Sequence, residues 1–428
     1  MVFPFWKERL LQMTEYKRFE LLDGVFLTAV RTEACAQSCL SMTFLTQLTR
    51  ETAANNAVLP CVLRRGSSRL PDSAAIDAAL ETMDGVIEPT VRKLGELQAI
   101  GLRACFRPDA FRQMAEELAA MLLAPNTRGG LLRPDWVKAE AAALLQRQAE
   151  PAPDAAHDAL RRLIEEMCAY EDFALSPLGD AEGAESIYYQ KLTRHMHGVV
   201  AESPLEIFYY GPVQPRAAAQ TLQELLASMP RGELSEELGT DVRMNSLEPE
   251  PRLCEETSDA CAEPRLAIGW RLGDQMEEPD PAALRLLAAC LEQALREHLD
   301  AQTCVELDLH KGLLTMTAPL TVSRETACGV VKAQLDLLRA GALTEKTRAA
   351  ALDALTAALT ATAQDAVRME AYWLERVTLG LLYSPEELAG LLAEVSPADV
   401  AGAARALECD MIYVCAPEPD EESDTQEA

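Results

Sequence analysis

The strongest constraint on the fold is that the chain repeats itself. Ile207-Phe208-Tyr209-Tyr210-Gly211-Pro212 aligns with Ile412-Tyr413-Val414-Cys415-Ala416-Pro417 at an offset of 205. Ser176-Pro177 aligns with Ser384-Pro385 at 208, and Gly95 before LQAIGLRACF aligns with Gly312 before LLTMTAPL at 217. No single match is decisive, but the order of elements is kept across all of them. A period of about 200 residues is the size of a domain, not of a solenoid repeat. The 428 residues therefore read as two homologous domains, 1–232 and 264–417, joined by a linker at 233–263 and followed by a tail at 418–428.

Local patterns give each domain its elements. Asp23-Gly24 sits between two apolar runs and predicts a hairpin, and CLSMTFLTQL predicts a third strand. Helical spacing is expected over 53–64, 71–83, 111–123 and 135–147, with LQAIGLRACF as a strand between the second and third. The second domain follows the same plan. LAIGWRL, GLLTMTAPL and MIYVCAP read as strands; 281–298, 327–338, 344 to about 379, and 397–407 read as helices. Strands grouped with helices between them predict an α+β fold, each domain a mostly antiparallel sheet with helices packed on one face.

Charge narrows the partners. With 39 basic against 68 acidic residues the formal net charge is -29, which opposes binding to nucleic acid or to an anionic membrane surface and favours basic peptides. Residues 233–263 carry ten acidic and two basic side chains, and the tail carries six acidic and none basic. Both read as solvated segments. The start, MVFPFWKERLL, lacks the pattern of a signal peptide, and no apolar run is long enough to span a bilayer, so a cytoplasmic location is expected. The twelve cysteines form no CxxC pair and read as small buried apolar residues, not a disulfide framework.

LLDGVFLTAV, LRRGSSRLPDSAAIDAALETMDGV and KLGELQAIGLR in the first domain, and LREH, HKGLLTMTAPL, LLRAGALTEKTRAAALDAL and EVSPADVAGAARAL in the second, resemble the insulinase/pitrilysin zinc peptidases, in the branch of bacterial homologues and processing-peptidase subunits. The resemblance covers residues 20 to 417. It implies a zinc motif H-x-x-E-H on a first-domain helix, two histidines one turn apart holding the metal and the glutamate polarising the attacking water. Anchored on Arg65-Gly66-Ser67, that motif falls on Ala57-Val58-Leu59-Pro60-Cys61. The histidine positions read Ala57 and Cys61, and the general-base position reads Pro60. In VKAEAAALLQR, Glu140 matches the family's first glutamate, and the third-ligand position seven later reads Arg147. The resemblance thus implies a degenerate site with no zinc cofactor and no peptidase activity of its own. In the second domain the family pairs an Arg with a Tyr seven later to hold substrate. Here the two positions are Arg296 and Thr303.

Other candidates carry less. His195-Met196-His197 lacks a neighbouring Cys or carboxylate cluster and reads as a surface pair. Asn126-Thr127-Arg128-Gly129-Gly130 lacks a Walker lysine and reads as a connection between helices. Cys35 and Cys39 offer no redox motif. The resemblance implies a catalytically inactive homologue that binds peptide, basic ones favoured, and complements a zinc-bearing paralogue in a two-half chamber. The alternative is a metal-free, self-associating peptide-binding or scaffold protein.

Overall fold

The computed structural model describes residues 15–33, 35–235, 238–243, 246, 250–257, 261, 263–273 and 280–417. The chain forms two compact units. The first comprises residues up to Glu150, Leu175–Thr240 and Ala361–Ser384; the second comprises Pro151–Ala174, Asp241–Thr360 and Pro385 onward. Each unit is discontinuous in sequence, which a contiguous division into 1–232 and 264–417 does not capture.

In the first unit β1 (Glu15–Leu22) and β2 (Val25–Arg31) form the hairpin expected at Asp23-Gly24, with Gly24 at φ +63. They join β3 (Ser38–Gln47), β4 (Val86–Leu94), β5 (Leu97–Phe106) and, beyond the two-residue ribbon of β6 (Thr127–Arg128) and β7 (Leu131–Leu132), β8 (Leu205–Gly211). The sheet order is β1-β2-β8-β3-β5-β4. β2 and β8 run parallel and every other pair is antiparallel. Side chains alternate across it, as a period of two requires: Leu40, Met42 and Phe44 of β3 enter the large core beneath the helices, while Cys39 enters a second cluster on the other face. That cluster is closed by the helix Ala366–Thr378, whose Met369 and Trp373 cover Val30, Cys105, Phe208 and Tyr210.

In the second unit β9 (Arg252–Thr257), β10 (Arg265–Leu272), β11 (Cys304–Asp308), β12 (Leu313–Pro319) and β13 (Leu407–Ala416) form a sheet of order β11-β12-β10-β13-β9. β13 and β9 are parallel and the rest antiparallel. Strand for strand this repeats β4-β5-β3-β8-β2. Gly95 and Gly312 take φ +60 and +67 at the turns into β5 and β12, so the aligned glycines do the same conformational work. One face of this sheet is covered by Ala159, Leu163 and Met167 of the helix Ala155–Met167, packed on Ala267, Met411 and Tyr413. Gly269 permits the approach: a Cβ there would lie 2.5 Å from the Met167 sulfur. Leu266, Ile268 and Trp270 point the other way and are buried as well.

The α+β class with mostly antiparallel sheets is as expected, and each sheet in addition carries on its second face a helix from another part of the chain. Other expectations change. Residues 233–263 are not solvated linker throughout: Arg252–Thr257 is strand β9, and its Glu255 and Glu256 pair with Arg324 and Arg162. The long helix expected from 344 to about 379 is two helices, Glu345–Ala363 and Ala366–Thr378, because Asp365 caps the second by accepting from the Val367 and Arg368 amides. Two of the cysteines, Cys261 and Cys415, are joined as a disulfide, and ten are free. The acidic tail 418–428 lies outside the described residues. No helix among the described residues is long and apolar enough to cross a membrane.

Candidate functional site

The helix Ala53–Leu63 is apolar on nearly every side, and all of its residues except Cys61 are buried. Pro60 sits inside it without an N–H to give to the preceding turn. Cys61, one turn after Ala57, faces the helix Pro134–Ala149, which packs alongside. Glu140 and Arg147 lie on that second helix, seven residues and about two turns apart, and therefore on one face.

The structure brings two of the four zinc-motif positions together. Arg147 Nη2 donates to the Cys61 sulfur at 3.7 Å. The Cys61 thiol in turn donates to the Ala57 carbonyl at 3.8 Å. Glu140 is engaged elsewhere, accepting from Arg65 Nε at 2.6 Å. Burial pushes the Cys61 thiol up, an effect that the Arg147 guanidinium only partly offsets. A methyl group, a proline ring, a neutral thiol and a guanidinium do not fit zinc, which takes imidazole, carboxylate or thiolate donors. Among the described residues no group of three or more His, Cys, Asp or Glu side chains is placed to hold a metal ion.

Arg296 and Thr303 also meet, though not as the sequence resemblance implies. Arg296 Nε donates to the Thr303 carbonyl at 2.8 Å, and its Nη2 pairs with Glu292 at 2.9 Å. The Thr303 side chain is fully buried, its hydroxyl without a partner, so it presents nothing to a ligand. Arg296 lines an open groove of about 270 Å³ with Glu292, Val305, Leu307, Ala351 and Leu355.

One polar system went unread in the sequence. His195, expected at the surface, is largely buried on the helix Tyr189–Glu202, and its Nε2 lies 2.6 Å from Asn56 Oδ1. Asn56 donates to Gln98 Oε1 at 2.8 Å, and Gln98 donates to the carbonyls of Ala53 and Pro177. His197 stays exposed. The signal in the sequence was Asn55-Asn56 inside an otherwise apolar helix, since buried amides need partners.

Burial holds the His195 imidazole near a pKa of about 4, with Lys191 adding to the effect. The unfolded histidine binds protons below about 6.5 while the folded one stays neutral. Stability from this group is therefore complete above pH 6.5 and is lost as pH falls toward 4, by up to roughly 3 kcal/mol. In urea denaturation at pH 7 and pH 4.5, His195→Gln is expected to show the shallower loss. Equal losses in the two proteins would assign the acid sensitivity to other groups.

No protein-family model matches the chain. Over 199 residues it is 24% identical to a Bacillus subtilis (strain 168) protein named "Probable inactive metalloprotease YmfF", a match spanning 44% of this chain and 47% of that relative. The chain thus matches about half the length of that curated relative. Among solved structures, a conserved protein from Enterococcus faecalis V583 superposes with a TM-score of 0.77 at 18% identity, over 94% of this chain and 99% of that one. A peptidase M16 inactive domain from Pseudomonas fluorescens superposes at 0.70 and 14% identity, over 95% and 98%. Fold and sequence likeness together bear out the resemblance to the insulinase/pitrilysin (M16) peptidases that the motifs carry.

Proposed function

We propose that this chain is a non-catalytic insulinase-type homologue that binds extended peptide and completes a two-half chamber with a zinc-bearing paralogue. The observation that carries the reading is that the family's two histidine positions read Ala57 and Cys61, its general-base position reads Pro60, and the guanidinium of Arg147, at the third-ligand position, lies beside the thiol. The relative named an inactive metalloprotease and the neighbour described as an inactive M16 domain support it.

Peptide capture by strand addition needs a sheet edge with free backbone groups. β4 and β11 are both edge strands. β4 carries Pro89, and a proline is tolerated on an edge only where its nitrogen faces away from the ladder. One outward donor is therefore missing from β4. β11 has no proline and lies beside the groove with Arg296, which favours it as the peptide edge. The net charge of -29 favours peptides with basic side chains.

The test is a tagged pull-down from native cells with mass spectrometry and a zinc assay. The expected result is a stoichiometric, zinc-loaded homologue of similar size. Recovery of this chain alone, zinc-free and self-associated, would replace the heterodimer with a homodimeric peptide-binding scaffold. Stoichiometric zinc on this chain alone would overturn the non-catalytic reading.

A further inference from the structure

Two positions that the family resemblance gives to metal ligands, Cys61 and Arg147, meet, and one of them is itself a cation. Arg147 is half-buried, and the one side chain its guanidinium meets among the described residues is Cys61, at 3.7 Å. No carboxylate there pairs with it. Glu140, two turns earlier on the same helix, is held by Arg65 at 2.6 Å. The sulfur is a weak acceptor whose own proton goes to the Ala57 carbonyl, so it is no counterion. None of the Arg147 nitrogens is among the buried polar atoms left without a partner, so its remaining donors are open to an incoming group. In a chain with 68 carboxylate side chains, a half-buried guanidinium paired only with a thiol is a site awaiting an anion.

We infer that Arg147 and Cys61 form a carboxylate-binding site, where the resemblance would place zinc. The planar fork of an arginine matches a carboxylate in two parallel hydrogen bonds. The neutral Cys61 thiol puts no charge beside the guanidinium, and the Glu140 carboxylate that acts on the same thiol is held by Arg65. The source of the carboxylate is a peptide, through its C-terminus or an acidic side chain. That source rests on the function proposed above; the carboxylate site does not.

Cys61 reports on the site directly. Iodoacetate and iodoacetamide alkylate a thiolate by the same displacement: the sulfur bonds to the CH₂ carbon and iodide leaves. Only iodoacetate carries a carboxylate. At pH 8.5 the ratio of iodoacetate to iodoacetamide rates, read peptide by peptide by mass spectrometry, is expected to be about tenfold higher at Cys61 than at Cys35 and Cys328, neither of which faces carboxylates alone, a charge-assisted hydrogen bond being strong enough for that factor. Arg147→Gln should bring the ratio down to the reference value, and Arg147→Lys, which keeps the charge without the fork, should retain part of it. A wild-type ratio equal to the references, or one unchanged in Arg147→Gln, overturns the site. Protection of Cys61 from iodoacetamide by a peptide with a free C-terminus but not by its amide assigns the terminal carboxylate. Protection by an amidated peptide containing glutamate assigns the side chain. If neither protects, the peptide source is overturned and the carboxylate site stands or falls on the alkylation ratio.

Discussion

The Glu171→Ala variant is expected to unfold at a far lower denaturant concentration than the native chain. Glu171 is the hub of a buried ion network in the second unit. It accepts from Arg271 Nη2 at 2.7 Å and from Lys311 Nζ at 2.7 Å, while Arg271 Nε donates to Asp410 at 2.7 Å. None of these four side chains is more than 3% exposed. Burial works against the Glu171 charge, but Lys311 and Arg271 hold its carboxyl below the usual range. Removing it leaves a buried arginine and a buried lysine with Asp410 as the remaining acid. Breaking a buried pair from one side costs about 3–5 kcal/mol, because the charge left behind has lost its compensation. Equilibrium urea unfolding measures the loss; a change under 1 kcal/mol would mean that water reaches the network. The damage should be local as well as global. Glu171 belongs to the 151–174 segment that covers the second sheet, so limited proteolysis should cut there first.

Gly101→Ala is expected to cost about 3 kcal/mol by overpacking. Gly101 lies in β5 opposite Thr43 of β3. A Cβ at this position would sit 2.0 Å from the Met42 carbonyl oxygen and 2.8 Å from the Thr43 Cα. Both are backbone atoms of a central strand, so no side chain can turn aside and the two strands must separate. Gly198→Ala is the control. It lies in the helix Tyr189–Glu202 with nothing within 4 Å of the added carbon, and should stabilise by up to about 1 kcal/mol. Thermal unfolding of both variants checks the pair, and a Gly101→Ala protein as stable as the native chain would show that the sheet accommodates the methyl.

Much of the fold was legible because the apolar pattern is strong. LQAIGLRACF became β5 over Leu97–Phe106, and the helices at 111–123 and 281–298 fall where their spacing placed them. The duplication, read from a few scattered matches, reappears as the same strand order in both sheets. β4 was missed because three exposed residues, Pro89 among them, break its alternation, as an edge strand allows. β9 was missed because its acidic composition reads as solvent, although half of its side chains turn toward neighbours. The candidate site was legible only by resemblance. Nothing in spacing alone could join Cys61 to Arg147, since their contact depends on two helices packing 86 residues apart in sequence. The burial of His195 was likewise invisible, because its acceptor Asn56 lies 139 residues away.

The reciprocal covering of the two sheets has a consequence for how the chain is made. The inner strands of the first sheet, β2, β3, β5 and β8, are all present once residue 211 has been synthesised. The helix that seals the Val30, Phe208 and Tyr210 face starts at Ala366. At typical rates of about 5–20 residues per second, an apolar strip waits on the ribosome for roughly ten seconds or more before its cover emerges. The second sheet meets the opposite order, since its covering helix, Ala155–Met167, precedes all five of its strands. The nascent first half is therefore the part of this protein most exposed to chaperones, and a ribosome stalled before residue 366 would hold a domain that cannot close.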